Sequence, residues 1–558
     1  MNIAIGSDHG GYDLKEILKP LLEERGVNVI DVGCSGKTSV DYPDFAGPVG
    51  EMVSEGKVAR GVVICTTGIG ASITANKYPG VRAALCLTPH MAGMARKHNN
   101  ANVLALGAAN TTSEEAVAIL WAWFDAEFEG GRHERRVEKI ESPDLLRHKF
   151  TFLDNVDHAV FDSLKKEIRR KDISLNLIAS ENSVSVAVRA AGGSVLAGKY
   201  ASGYPSARHY PGCSNADEVE RLAKDRIESL FGAEHANVQC SSGSSANMAV
   251  FLAALEHGDT ILSMSPRTGG HITHGGDGNL SGRLYNPVYY QLDPETGIID
   301  YDQVRELARE YKPRLICVGD SVYSRFINFK QFREIADTAG AYLMADIAHT
   351  AGLIVAGCYP NPVPYCEFVT LTTHKTLRGP HGGAILCQQR FADNIDQNVY
   401  PGIQGGPAMN VIAAKAVCFY EASQPEFKIY QQQVVLNAKA LAEEFEHAGL
   451  YVLSGGTDTH MMTIDISKHT DNPKAAALAL EKAGILVNYL DIPMKPGAAS
   501  GSALRIGTAD ITSRNMDVSN MKQVYEYVKQ ALAAMDNSKS LAALRVRVAS
   551  FMKEFPSP

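Results

Sequence analysis

Before residue 110 one short pattern keeps recurring. The apolar, β-rich segments NIAIGSD, VNVIDVG, GVVICTTG, VRAALCL and NVLALGA are each bounded by Gly, Asp or Asn, and they are separated by amphipathic stretches such as GYDLKEILKPLLEERG. Strand, helix and strand in succession close up as a parallel sheet with helices on both faces, so this alternation constrains the fold more than any other feature. Ligands of such sheets bind beyond the carboxyl ends of the strands. The loops SDHGG (7–11), CTTGIGAS (65–72) and HNNANV (98–103) are therefore where function is expected, and a helix predicted over SEEAVAILWAWFDAEFEGG leads on to GRHERRVEKIE.

Residues 141–156, ESPDLLRHKFTFLDNV, follow neither period and read as a linker region, after which the alternation resumes. It opens with helix-like DHAVFDSLKKEIRRKD and continues through strands HANVQC, DTILSM, RLICVGD, AYLMADIA, FVTLTT and GGAILC. From PEFKIYQQQVVLNAKALAEEFEHAG onward the pattern is that of a smaller α+β end domain. The expected division is 1–145, a linker at 146–156, a large domain at 157–423 and a small domain at 424–558.

Composition narrows the function classes. A net charge of −8 argues against a general nucleic-acid binder. No apolar run reaches the length of about 18 residues that a membrane span needs. The ten cysteines are scattered without a CxxC pair and no export pattern opens the chain, so free thiols and a cytoplasmic location are expected. No metal site is assigned.

Two constellations carry chemistry. In ICTTGIGAS, Cys65 ends a strand before a Gly-rich turn whose N–H groups, around Gly68 and Gly70, can hold an oxyanion. A thiolate beside them can act as a base. Asp8 and His9 follow the first strand, His98 and Asn99 sit in RKHNNANV, and Arg132 and Arg136 are spaced to share a helix face. Carboxylate, imidazoles, thiol, anion hole and paired arginines suit proton transfer between neighbouring carbons of a phosphorylated sugar. In the second body, TLTTHKTLRGPHGG puts Lys375 after a β-branched run, which suits a Schiff-base lysine. Asp346 ends the strand of AYLMADIAHTAG, and SSGSSANMAV offers small hydroxyls and a glycine at a helix start. Together they suit a cofactor with a carbonyl, a phosphate and a ring nitrogen, namely pyridoxal 5′-phosphate.

With these residues in view, SDHGG, VDYPDFA, ICTTGIGASI, NKYPGVRAAL, HNNANVLALGA and EGGRHERRVE stand in the order of the B-type ribose-5-phosphate isomerases, which residues 1–145 resemble. The resemblance implies Cys65 as base, Asp8, His9, His98 and Asn99 for ring opening and sugar hydroxyls, Arg132 and Arg136 for phosphate, and dimers with shared sites. Thr66 stands where that family has glycine, at the edge of the anion hole.

Residues 153–540 resemble the serine hydroxymethyltransferases through LNLIASEN, SGSSANMAV, GGHITHGG, IADTAGAYLMADIAH, THKTLRGP, YPGIQGGP, SGGTDTH and LRIGT. This implies the aspartate-aminotransferase-like fold type I of pyridoxal-phosphate enzymes, with Lys375 holding the cofactor beside His374, and Asp346 on its ring nitrogen. His271 would stack on the ring, Ser242, Gly243 and Ser244 would take the phosphate, and His349 and Ser321 would support the ring and its 3′-oxygen. Ser180, Tyr210 and Arg505 are implied for the amino-acid substrate. Tyr200, Gly405 and Gly406 would reach a partner subunit's site, so a homodimer or larger homo-oligomer is implied.

The departures cluster. The family's KYAEGYPGKRYYGGC is here KYASGYPSARHYPGC, so Ser202 replaces an acid used in one-carbon transfer and folate contact, and His209 replaces a tyrosine. MKPGAASGSA (494–503) replaces a segment of folate contacts, and Pro266-Arg267-Thr268 replaces Leu-Ala-His. Cofactor positions are kept while second-substrate positions change. The expectation is folate-independent aldol chemistry on glycine, serine or threonine, with a sugar-phosphate aldehyde as acceptor. The alternative is an isomerase joined to a tetrahydrofolate-dependent hydroxymethyltransferase.

Overall fold

The predicted strands of the first body form one parallel sheet. A computed structural model describes residues 2–141, 153, 156–319, 321–492 and 501–557. It divides into two compact units, Met1–Lys165 and Lys166–Pro558. In the first unit β1 (Asn2–Ser7), β2 (Asn28–Asp31), β3 (Arg60–Cys65), β4 (Ala83–Leu85) and β5 (Val103–Gly107) lie in the order β2-β1-β3-β5-β4. The helices are α1 (Tyr12–Glu24), α2 (Pro43–Ser54), α3 (Ile69–Ala75), α4 (Pro89–Asn99), α5 (Ser113–Phe124) and α6 (Glu134–Glu141). Side chains alternate between faces along each strand. Ile3, Ile5, Val62, Ile64, Leu104 and Leu106 pack in one core with α1 and α5, while Ala4, Val63, Cys65, Val103 and Ala105 pack in another with α2 and α3. Strands buried on both faces have to read as near-continuous apolar runs, as these do.

The second unit has a sheet in the order β11-β10-β12-β13-β14-β15-β9. Its strands are β9 (His235–Asn237), β10 (Thr260–Met264), β11 (Asn286–Tyr290), β12 (Leu315–Gly319), β13 (Tyr342–Asp346), β14 (Phe368–Thr372) and β15 (Gly383–Cys387). Strands β11 to β14 run parallel, and β15 runs antiparallel to both neighbours. A second core gathers β16 (Met461–Asp465), β18 (Asn488–Asp491) and β19 (Ser502–Gly507) under the long helix α7 (Pro425–His447). An arm strand, β6 (Leu175–Asn176), pairs with β17 (Ile485–Leu486) of this part.

Several expectations need correction. Helix α5 stops at Phe124 rather than running on to the glycines; Asp125 follows as its C-cap and pairs with Arg25 at 2.6 Å. Helix α6 starts only at Glu134, so Arg132 lies in the turn before it and the shared-face argument does not apply to the pair. Strand β11 was not expected; its NPVYY carries a proline, which the sheet edge tolerates. Within 199–212, β7 (Gly203–Tyr204) and β8 (Ala207–Arg208) pair as a small hairpin. Arg208 in it is anchored by acids. Its buried guanidinium pairs with Asp217 at 2.8 Å and with Glu220, and it donates to the Ala201 carbonyl. The loop without an acid of its own is pinned by acids from the helix that follows it. The linker expected at 146–156 falls almost entirely outside the described residues, as does most of 494–503.

Candidate active sites

In the first unit, the strand order reverses direction beside β1 and β3, which is where ligands of such sheets bind. The loops leaving those two strands touch. Asp8 is buried and its Oδ1 accepts the Gly11 N–H at 3.0 Å, closing the SDHGG turn. The His9 Nδ1 lies 3.2 Å from both the N and the O of Val40, so backbone fixes the ring. Cys65 is buried at the end of β3, and its Sγ accepts the Gly68 N–H at 3.2 Å. That turn exists because Gly68 takes φ +76° as N-cap of α3. A Cβ there would lie 2.5 Å from Leu85 and 2.8 Å from the Leu106 carbonyl carbon. Gly68→Ala is therefore expected to destabilise this unit by about 2–3 kcal/mol, read as a lower urea midpoint. Gly70 follows in α3, against the Tyr42 ring.

Thr66 packs against the SDHGG loop. Its Oγ1 turns toward Gly10, where any Cβ would lie 2.3 Å from it. The hydroxyl fills space that the SDHGG glycine leaves open.

A second group forms where α4 meets the turn before α6. His98 and His133 stack with centroids 3.9 Å apart and planes 11° from parallel. Glu129 lies 3.5 Å from the His98 Nε2, and the Arg132 Nε donates to the His133 Nε2 at 3.2 Å. Asn99 ends α4, and Arg136 is exposed on α6. Sequence reading passed over His133 and Glu129 although both stand in or beside GGRHERRVE. Burial and the neighbouring His98, Arg132 and Arg136 lower the His133 pKa, so its Nε2 is a ready acceptor.

In the second unit, a pocket of about 200 Å³ is lined by Ser242, Gly243, Ser244, His271, Ser321, Asp346, His349, His374 and Lys375. It lies at the carboxyl ends of β12, β13 and β14 and at the N-terminus of the helix Gly243–Ala254. Ser242 caps that helix reciprocally with Ser245, each side chain accepting the other's N–H at 3.0 Å. Its own polar groups are thus engaged, and the N–H groups of Gly243 and Ser244 are those turned to an anion.

Asp346 sits at the pocket floor in a network the sequence did not disclose. Its Oδ2 accepts from the His274 Nε2 at 2.9 Å and the Asn247 Nδ2 at 2.8 Å, and its Oδ1 from the Ala348 N–H at 3.0 Å. Burial would raise its pKa, but these partners outweigh it and hold the carboxyl well below the usual range. On the fully buried His274, burial opposes the charge while the Cys317 sulfur and the Asp346 carboxylate favour it, and the imidazole is pushed up to about 10. His274 is the second histidine of GGHITHGG. Its spacing from His271 gave no hint that it would turn below the pocket while His271 lines it.

His271, His349 and His374 are all held below the usual imidazole range, chiefly by burial. Burial takes His271 down to about 4 and His374 to about 3. His374 stacks on His381, with centroids 4.1 Å apart. The Arg505 guanidinium donates to the Ser321 carbonyl and, at 2.9 Å, to Asn488. The arm carrying Ser180 is laid along Arg505's strand by a Gly507 N–H to Leu177 carbonyl bond of 2.8 Å. Asn182 donates to the Lys375 carbonyl at 2.9 Å, which ties the arm to the lysine as well.

Tyr200, Tyr210, Gly405 and Gly406 do not line this pocket. They form a group of their own: the two exposed tyrosine rings meet edge to face at 5.4 Å, and a Cβ on Gly406 would lie 3.1 Å from the Ser202 Oγ and 3.2 Å from Tyr200. Ser202 is buried, and His209 is exposed beside the Tyr400 ring at 5.8 Å.

A lysine just beyond a strand end, an ionised aspartate, a flat neutral imidazole and the N–H groups of a helix start, all lining one pocket, match the aldehyde, ring nitrogen, ring face and phosphate of pyridoxal phosphate. Among the described residues no helix is long and apolar enough to cross a membrane. Of known families, the Ribose/Galactose Isomerase model matches residues 3–140 and the Serine hydroxymethyltransferase model matches residues 153–528. The latter family is pyridoxal-phosphate dependent, with fold type I, which fits the pocket and the mixed sheet around it. Over most of its length the chain thus belongs to the serine hydroxymethyltransferase family, with a ribose/galactose isomerase-family domain ahead of it.

Proposed function

We propose that the chain is a two-site enzyme in which the second unit performs folate-independent aldol exchange on an amino acid and the first binds and opens the sugar phosphate whose aldehyde is the acceptor. The observation that carries this reading is the loop around Ser202. The cofactor pocket keeps its lysine, aspartate and helix N-terminus, whereas the family's acid at 202 is a buried serine. A serine hydroxyl does not exchange protons near neutral pH as a carboxylate does.

Pyridoxal phosphate, when bound, would supply an electron sink for the pair left on the amino acid's α carbon. Lys375 would hold its aldehyde, Asp346 its ring nitrogen, His271 its ring face, and His349 and Ser321 its 3′-oxygen. The Gly243 and Ser244 N–H groups, at the helix start that Ser242 caps, would hold its phosphate. Arg505 and Ser180 would orient the substrate carboxylate. With threonine as donor, the Cα–Cβ bond breaks and the β-hydroxyl proton is lost as acetaldehyde leaves. A new Cα–Cβ bond then forms to the sugar aldehyde, whose oxygen takes a proton. No net oxidation occurs, and the product is a sugar-derived β-hydroxy α-amino acid.

In the first unit, Cys65 would move the proton between carbons, with Gly68 and Gly70 N–H groups at the developing oxyanion. Asp8, His9, His98 and Asn99 would serve ring opening and hydroxyl binding, and Arg132 and Arg136 the phosphate. The residues fall into two groups, the Asp8–Cys65 turn and the His98–Arg132 cluster, which suits sites completed between two copies. The exposed Ile69, Ile73, Leu87 and Met91 offer such a dimer an apolar surface. The exposed Tyr200 and Tyr210 do the same for the second unit. A homodimer or larger homo-oligomer in the cytoplasm is the assembly proposed.

The test of folate independence is exchange of the glycine α-proton in D₂O, followed by NMR. The proposal expects exchange that tetrahydrofolate leaves unchanged. Strong stimulation by tetrahydrofolate would support the alternative, a ribose-5-phosphate isomerase joined to a folate-dependent hydroxymethyltransferase. Replacing Cys65 by Ala is expected to lower ribose-5-phosphate isomerisation by about 10²-fold or more, while glycine exchange is untouched. Unchanged isomerisation would remove Cys65 from the proposed role.

A further inference from the structure

His460, the last residue of SGGTDTH, has no role in the account so far. It is fully buried just ahead of β16, and its carbonyl accepts the Thr508 N–H at 2.9 Å. Its Nε2 lies 3.1 Å from the Ala179 carbonyl and 3.4 Å from the His349 Nδ1, the two rings stacking with centroids 5.5 Å apart. It thereby joins the arm that carries Ser180, the strand end next to Arg505's strand, and the ring of His349, which lines the pocket.

The two contacts of one nitrogen decide the protonation pattern. A carbonyl oxygen only accepts, so the His460 Nε2 must carry the hydrogen that faces Ala179. A bare Nε2 would set two lone pairs against each other at 3.1 Å. With the hydrogen on His460, the His349 Nδ1 cannot donate to it, and the 3.4 Å contact is favourable only with a bare Nδ1 on His349. The His349 proton then lies on Nε2, the ring nitrogen left to face the pocket. The other His460 nitrogen, Nδ1, is buried without a hydrogen-bond partner among the described residues. That suits a bare nitrogen better than an N–H, since an unmet buried donor costs more to leave unpaired. Burial, reinforced by Lys375 and Arg505, keeps both rings neutral, so tautomer rather than charge is what remains to be set.

We propose that His460 is a positioning residue that fixes the tautomer of His349, so that His349 presents an N–H donor to an oxygen in the pocket, and that it locks the Ser180 arm to that same donor. The consequence for ligand chemistry rests on the reading that the pocket takes pyridoxal phosphate. A ring oxygen that is anionic, such as the cofactor's 3′-oxygen, is the group an N–H donor at this position selects. A bare Nε2 there would repel it.

The test uses the full-length protein with ¹⁵N-labelled histidine, and pyridoxal phosphate as the probe. In the cofactor-free wild type, the His349 signals are expected to show a bare Nδ1 and a protonated Nε2. His460→Phe keeps a flat ring but loses the donor; His460→Gln places an N–H near the lost Nε2. The expected result is a mixed His349 tautomer and about tenfold weaker pyridoxal-phosphate binding by absorbance titration in the Phe variant, both largely restored in the Gln variant. A protonated His349 Nδ1 in the wild type would overturn the proposal. So would a Phe variant indistinguishable from wild type, or equal losses in both variants, which would mean packing alone. If the Phe variant does not fold, wild type and the Gln variant still decide, since the Gln variant must keep the wild-type His349 pattern. Failure of the wild type to take up pyridoxal phosphate would instead overturn the functional reading, leaving the cofactor-free NMR comparison to judge His460.

Discussion

Asp346→Asn is expected to lower glycine α-proton exchange and threonine cleavage by about 10²–10³-fold while the protein stays folded. The side chain changes by one atom, so packing at the pocket floor is kept. What changes is charge. The carboxylate accepts from His274, Asn247 and the Ala348 N–H, and that set holds it ionised despite burial. An ionised group there is what keeps a pyridine nitrogen protonated, and a protonated ring is the electron sink the reaction needs. An amide in its place accepts through one oxygen only and carries no charge. His274 then loses the carboxylate that, with the Cys317 sulfur, favours its charge against burial, and its pKa is expected to fall. A turnover loss of less than tenfold, with an unchanged melting temperature, would mean that Asp346 is a structural member of the network and not the partner of the ring.

Lys415→Met carries the largest expected effect on stability, about 3–5 kcal/mol. Lys415 is fully buried, and its Nζ donates to the carbonyls of Val238 at 2.7 Å, Cys240 at 2.8 Å and Gly383 at 2.8 Å. Three acceptors match the three hydrogens of an ammonium. Burial lowers its pKa to about 8, which still leaves the charge in place at neutral pH. The carbonyls belong to the strand ends that shape the turn before Ser242, so their release loosens the anion-binding turn as well as the core. Methionine keeps the stem's volume and removes the donors, which isolates the polar loss from a cavity. Chemical denaturation measures the first effect and pyridoxal-phosphate titration the second. A midpoint within the error of wild type would show that the three carbonyls find other partners.

Much of this was legible in the chain. Strands buried on both faces announce themselves as apolar runs, and residues such as Ile3, Val63 and Leu104 therefore gave the sheet of the first unit. That Lys375, Asp346 and Ser242–Ser244 line one pocket was legible because each stands near a strand end or helix start, the points where a backbone pattern and a reactive side chain coincide. Partners that act from below the pocket were not. His274, Asn247, Lys415 and His460 look in sequence like ordinary core residues, and only the tertiary fold brings them to Asp346, the Ser242 turn and His349. Arg208, a cation in a glycine- and proline-rich stretch, gives no sign in sequence of the acids that hold it. Asp217 and Glu220, nine and twelve residues on, consume its charge through helix contacts that a loop pattern does not display. Strand β11 was missed because an edge strand is half exposed and tolerates a proline, which weakens both of the signals that mark a strand.

The most direct test of the two-site account is to incubate the protein with L-threonine and ribose 5-phosphate, without folate, and to follow acetaldehyde and new amino acids by mass spectrometry. The account predicts acetaldehyde and a sugar-derived β-hydroxy α-amino acid in equal amounts, each dependent on ribose 5-phosphate. Absence of both products, or their appearance only when tetrahydrofolate is supplied, would contradict it.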